Sequence, residues 1–471
     1  MAMAMCIGAA WAADEGPSLP TGLGDSGGPA LPGGLEEESG PPLPIGMEGE
    51  ATPTKSEAAG SGKRKLSEVL GLSGFWDIRA GIRTQRDRHE QQASLAETRL
   101  QLESQKRIGP VTSKVVTDFL YDGLADSRKI DLETGQGWMD LREANISWSP
   151  FSFADVKVGR QILTWGTGDL VFINDLFPKD YVSFFAGRDE AYLKAPSDAI
   201  KTSIFTDAVN VDIIYTPVFD SDRYITGRRM SYYNAMLGEA AGRNAIMQAD
   251  VPNEWFNDSE WAARVYRNVS GYELAAYGYW GYWKSPGGMD AATGKATFPR
   301  LSVYGASARG QFARGIGNVE AGYYDSREDR AGGDPNVSNS EFRFLLGYEQ
   351  DLKQISRDLT IGMQYYLEWM QDYDAYRSAL PAGMPEADEY RHVVTLRLTK
   401  LLMNQNLRLS VFTFYSPSDG DVYMRPNLSY KMNDHWTFVA GGNVFFGESE
   451  ETFFGQFADN TNVYCGLRYG F

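Results

Sequence analysis

The chain has 471 residues, 13% of them aromatic, with 50 glycines and a net charge of -17. That acidity excludes nucleic acid as a partner. No run of 18 apolar residues occurs, so no transmembrane helix is expected. A mean hydropathy of -0.38 still allows a membrane-spanning barrel, because a wide barrel shows half of its strand residues to water.

Residues 1–13, with small residues around Ala10, Ala12 and Ala13, read as a signal-peptide remnant. Residues 14–70 are a different material. The pattern G-P-x-L-P-x-G-(L/M) begins at Gly16, Gly28 and Gly40, a spacing of 12 residues, within an acidic segment. Pro and Gly at this density favour extended, polyproline-like chain. One reading is a flexible spacer. The other is a short linear motif presented three times to a periplasmic or cell-wall partner, since a pure spacer needs no repeated Leu-Pro. Residues 63–70 are expected to make one or two helical turns leading into the next domain.

From residue 71 to 471 the chain alternates with period two, the signature of strands with different solvents on their two faces. Successive strands are expected near 76–83, 96–103, 114–121, 142–148, 154–162, 199–205, 209–215, 261–268 and 272–283. Nine more follow near 301–311, 317–324, 342–348, 359–369, 390–399, 407–415, 422–430, 436–446 and 462–471. The connections after even strands are mostly short and those after odd strands mostly long, the pattern of a transmembrane antiparallel barrel with short periplasmic turns and long extracellular loops. The fold class is therefore all-β, a barrel of about 18 strands, with 16 the neighbouring even count. Trp76, Trp148, Trp261, Trp280, Trp283, Trp369 and Trp436 fall near strand ends, where aromatic girdles sit at the headgroup level. At the C-terminus Leu467, Tyr469 and Phe471 share one face. This resembles the terminal strand signal of bacterial outer-membrane barrels, which implies barrel closure against the first strand and reading by the barrel-assembly machinery.

The same alternation assigns Arg79, Arg83, Arg99, Arg343, Arg391, Arg397, Arg408 and Arg468 to the lumen, together with Glu97, Glu143, Glu320 and Glu368. Turning such an Arg toward lipid would cost about 2–4 kcal/mol near the midplane, which fixes the register more firmly than propensity does. The long connection after the fifth strand carries Leu170, Val171, Phe172, Ile173, Phe177, Phe184 and Phe185, too apolar to extend into water. It is expected to fold inward as a constriction, with Arg160, Trp165, Asp169, Asp175 and Asp180 on it. Asp189 and Glu190 join these acids in facing Arg rows across a gap. Packing on a neighbouring subunit, as in a homo-oligomer, is the other use of such a loop. The connection at 217–260 reads as a surface lid.

Residues 158–193, with Gly159-Arg160-Gln161, then Trp165-Gly166, then an Asn/Asp-rich stretch with Pro178, follow a strand carrying Arg142-Glu143-Ala144. With the opening at 72–81, they resemble a broad family of bacterial porin-like barrels that includes alginate-export-type proteins. The resemblance implies a channel for small hydrophilic, anionic or dipolar solutes, surrounded by outer-membrane lipid and lipopolysaccharide. The repeated extension departs from that family. It leaves open a second reading, a sheath or scaffold for a periplasmic partner such as an electron-transfer protein. Cys6 and Cys465 lie at opposite ends, and His89, His392 and His435 are scattered. No metal, cofactor or catalytic cluster is expected from these residues, so an enzyme is not expected either.

Overall fold

The computed structural model describes residues 71–471. The signal-peptide remnant expected at 1–13 and the repeated extension with the short helix expected at 14–70 lie outside the described residues. Eighteen strands build the main sheet. They are β1 Leu72–Arg83, β2 Ala93–Ile108, β3 Val111–Asp122, β4 Met139–Phe151, β5 Ala154–Ile162 and β6 Pro196–Phe205. Next come β7 Asn210–Thr216, β8 Glu260–Val269, β9 Tyr272–Tyr282, β10 Arg300–Phe312, β11 Gly315–Ser326 and β12 Glu341–Asp351. The last six are β13 Leu359–Met370, β14 Tyr390–Leu402, β15 Leu407–Ser416, β16 Asp421–Lys431, β17 Trp436–Gly447 and β18 Asn462–Gly470.

Each strand pairs antiparallel with the next, and β18 returns to β1 over Phe75↔Gly470 to Arg83↔Asn462. The sheet is closed, as the alternation predicted, so no strand edge is left unpaired. Phe471 completes the seam: its N–H donates to Gly74 O at 3.0 Å and its carbonyl accepts from Gly74 N–H at 3.1 Å. Short turns such as 109–110 and 270–271 join strands at one end of the barrel. The segments 123–138, 163–195 and 217–259 emerge at the other.

The alternation is visible along β1. Trp76, Ile78 and Ile82 are exposed on the outer face, whereas Asp77, Arg79 and Arg83 are buried inside. Outer aromatics pair across strands at both ends: Tyr215 with Trp261 at 4.6 Å and Trp369 with Tyr390 at 5.6 Å at the long-loop end, Trp436 with Tyr469 at 4.9 Å at the short-turn end. Trp283 departs from the girdle expected for it. Strand β9 stops at Tyr282, and the Trp283 ring turns inward against Tyr324 at 5.6 Å and under the Arg343 guanidinium. The core is not between sheets. It lies inside the barrel, where inward aromatics such as Tyr277, Tyr324, Tyr423 and Phe445 pack on Trp165, Ile173, Phe177, Phe184 and Phe185 of the connection 163–195.

Candidate functional site: a segment folded across the lumen

The connection 163–195 enters the barrel because its apolar side chains have nowhere else to go. Ile173 is wholly buried, and Phe184 and Phe185 nearly so. Burying three such side chains contributes about 1.5–3 kcal/mol each relative to exposure. Within the segment a short helix, Tyr181–Ala186, is capped by Asp180, whose carboxylate accepts from Ser183 N and Ser183 Oγ, both at 2.7 Å. Gly187 ends it in the left-handed region, φ 93°, where a Cβ would also strike the Tyr464 ring. A 3-10 turn, Glu190–Leu193, follows, capped by Asp189.

Polar contacts then fix the segment to opposite walls. On β11, Glu320 is 1% exposed and accepts four hydrogen bonds: Thr167 N at 2.7 Å, Thr167 Oγ1 at 3.0 Å, Asn174 N at 2.8 Å and Asn174 Nδ2 at 3.0 Å. A carboxylate caged by donors stays soluble in the protein without a cation beside it. On β13, Gln364 closes a reciprocal pair with the Asp169 backbone, accepting from its N–H at 2.7 Å and donating to its carbonyl at 2.8 Å. On the far wall, Arg188 meets Glu97 of β2 at 2.8 Å. Tyr192 donates its hydroxyl to Asp118 of β3 at 2.7 Å, its ring flanked by the guanidinium groups of Arg99 and Arg142 at 4.2 and 4.7 Å.

A third set of contacts leaves the segment's carboxylates about one-third exposed. Arg397 of β14 forks onto Asp169 at 2.6 and 2.7 Å and reaches Glu190 at 3.1 Å. Arg425 of β16 meets Glu190 at 3.3 Å. Asp189 lies 3.0 Å from Arg468 and 3.8 Å from Arg79, two arginines that also share Asp77. Burial raises the Asp189 carboxyl, but Arg468 and Arg79 outweigh it and bring it down to about 2.

The remaining residues named from the sequence fall as follows. Arg343 pairs with Glu341 at 2.7 Å, and Glu368 with Arg391 at 2.9 Å; Arg391 also holds Asp419 at 2.6 Å. These form a charged stripe on the inner wall toward the long-loop end. Glu143 meets Lys114 at 2.9 Å. Arg83 is buried at the long-loop end, donating to Asn460 and to the carbonyls of Ala93 and Arg229. Arg408 is on the inner face of β15, exposed near the short-turn end.

Three of the expected constriction residues are not where a gap-spanning field would need them. Arg160 belongs to β5, in register with Ala144 and Asp198, and is buried. Its guanidinium pairs with Asp198 at 3.0 Å and donates to the carbonyls of Leu141 and Leu132. Asp175 pairs with Lys179 inside the segment at 3.0 Å, side chain 1% exposed. Asp180 is the helix cap just described. Trp165 is buried against Phe177 at 5.0 Å and Tyr277 at 6.0 Å, as an apolar anchor.

The connection 217–259 is not a free lid over this arrangement. Arg223 inserts between Asp140 of β4, 2.9 Å away, and the cap Asp180, 3.3 Å away, and donates to the carbonyls of Leu132 and Glu133. Outer loops and inner segment therefore share one buried ion cluster. Beside it Glu133, Asp198 and Asp220 bring carboxylate oxygens within 4.8 Å of one another. Partial burial and the adjacent Asp220 and Asp198 push Glu133 up to about 7, although its outer edge is exposed.

An apolar outer face, a polar interior and full closure define the class: a membrane-spanning β-barrel with an infolded segment. No protein-family model matches the chain, and no curated protein matches it. Among solved structures, OccAB1 of Acinetobacter baumannii is similar at 10% identity and a TM-score of 0.50, over 85% of this chain and 96% of that one. OccAB3 of the same organism is similar at 11% identity and 0.48, over 85% and 99%. A mutant of the Rhodopseudomonas blastica porin is similar at 11% and 0.37, over 85% and 99%. At such identities the likeness is one of fold.

Proposed function

We propose that this chain is a channel of the bacterial outer membrane for passive diffusion of small hydrophilic solutes, with a preference for anionic or dipolar ones. The observation that carries this reading is the part-exposed ion-pair set at the infolded segment: Arg397 and Arg468 on the wall against Asp169, Asp189 and Glu190. Charges held part-exposed inside a closed apolar shell suit a wet path, and fixed charges there select the solutes that pass. The short turns would face the periplasm, with the extension 14–70 on that side. A sheath around a threaded protein partner needs a wide bore, and a segment tied to both walls speaks against it.

Proteoliposomes reconstituted with the folded protein should swell in isotonic monosaccharide, and faster in a sugar acid of similar size. A trisaccharide should enter much more slowly. Liposomes that carry folded barrel yet show no swelling in any of these solutes would sink the channel reading.

A further inference from the structure

The contacts holding the segment 163–195 are of two kinds. One kind is dry: Glu320 is 1% exposed and Asp118 fully buried, and Gln364 and Glu97 are also buried. The other kind is wet. The side chains of Asp169, Asp189 and Glu190 are 33%, 34% and 33% exposed, in contrast to the buried Asp175 and Asp180 of the same segment. Water that reaches these carboxylates also admits solutes. Asp169 and Glu190 meet Arg397 of β14 and Arg425 of β16, whereas Asp189 meets Arg468 of β18 and Arg79 of β1; Arg425 also donates to Arg188 O of the segment at 3.3 Å. The Arg397 fork on Asp169 is the bidentate geometry that a guanidinium offers to any carboxylate.

We propose that Arg397 and Arg425 form an anion site that the segment's own carboxylates occupy at rest, and that a small solute carrying two carboxylates competes with Asp169 and Glu190 for it. The contact is autoinhibitory: binding at the site and loosening of the wet side of the constriction are one event. The dry anchors stay in place, so the segment is not expelled. The role of the exchange in transit rests on the channel reading, whereas the exchange itself does not.

Calorimetric titration of succinate into the detergent-solubilised full-length protein reads the competition directly, whether or not the barrel conducts. The Asp169→Asn/Glu190→Gln double variant should bind succinate about tenfold more tightly than the unaltered protein, the factor that one partly exposed charge-assisted contact corresponds to. Adding Arg397→Gln to the double variant should abolish the gain, and acetate at matched ionic strength should compete poorly. Gel mobility that changes on heating confirms that each variant is folded. Equal succinate affinity in the unaltered and double-variant proteins, or no binding by a folded double variant, would overturn the proposal. Competition without any bilayer current would instead remove only the channel reading, and current without competition only the self-occupied site.

Discussion

Replacing Glu320 by Ala is expected to undock the segment 163–195 from β11 and to raise single-channel conductance several-fold. Four donors converge on this one carboxylate, and two of them are backbone N–H groups of the buried segment. Loss of the acceptor costs each buried donor about 1–3 kcal/mol, so the docked state loses about 3 kcal/mol or more. The barrel strands keep their own hydrogen bonds, so the variant should still migrate as a folded, heat-modifiable species. Glu320→Gln should fall between, because its amide nitrogen meets donors where an acceptor is needed. Planar-bilayer recordings of the two variants check the order. A Glu320→Ala channel indistinguishable from the unaltered one would mean that the apolar contacts alone hold the segment.

Replacing Arg223 by Ala should have the largest effect on stability outside the strands. The guanidinium is buried and serves Asp140, Asp180 and two loop carbonyls at once. Its removal leaves two carboxylates buried without their cation, a loss of about 3–5 kcal/mol. It also frees the helix cap from the outer loop, so the damage should reach the constriction. The expected result is a lower unfolding temperature and rapid tryptic cleavage within 217–259, at Arg228, Arg229 or Arg243. Lys in place of Arg223 should recover little, since an ammonium cannot span the same forked geometry. Unchanged cleavage and melting in Arg223→Ala would show that this cluster is held by its other contacts.

The barrel was legible because its signal is local. Period-two alternation and the contrast of short and long connections are properties of neighbouring residues, and they placed all eighteen strands and both faces. The apolar content of 163–195 was likewise enough to predict infolding. The roles of individual residues were less legible, because they depend on partners far along the chain. Glu320 was recognisable as inward-facing on β11, but its four donors lie at Thr167 and Asn174, about 150 residues earlier. Gln364, Arg188, Arg425 and Arg223 passed as ordinary polar or loop residues for the same reason.

Arg160 lay within the expected fifth strand, but its partners were not legible: they are Asp198 of β6 and the carbonyls of Leu141 and Leu132. Trp283 was misplaced because alternation says nothing about where a strand stops. Asp175 and Asp180 were assigned to a field across a gap by composition alone. Their closest partners, Lys179 and Ser183, are three or four residues away in the same segment. One Arg-rich wall facing segment carboxylates does exist, but Asp169, Asp189 and Glu190 supply it.

The central claim is that the infolded segment narrows a conducting lumen, and one recording tests it most directly. Single-channel current should be measured for the unaltered protein and for a variant in which Gly168 to Glu190 is replaced by a short Gly/Ser linker, with both proteins shown to be folded. The account predicts a small, steady, anion-favouring conductance for the unaltered protein and a much larger, weakly selective one for the variant. Equal conductance in the two, or none in either, would contradict it.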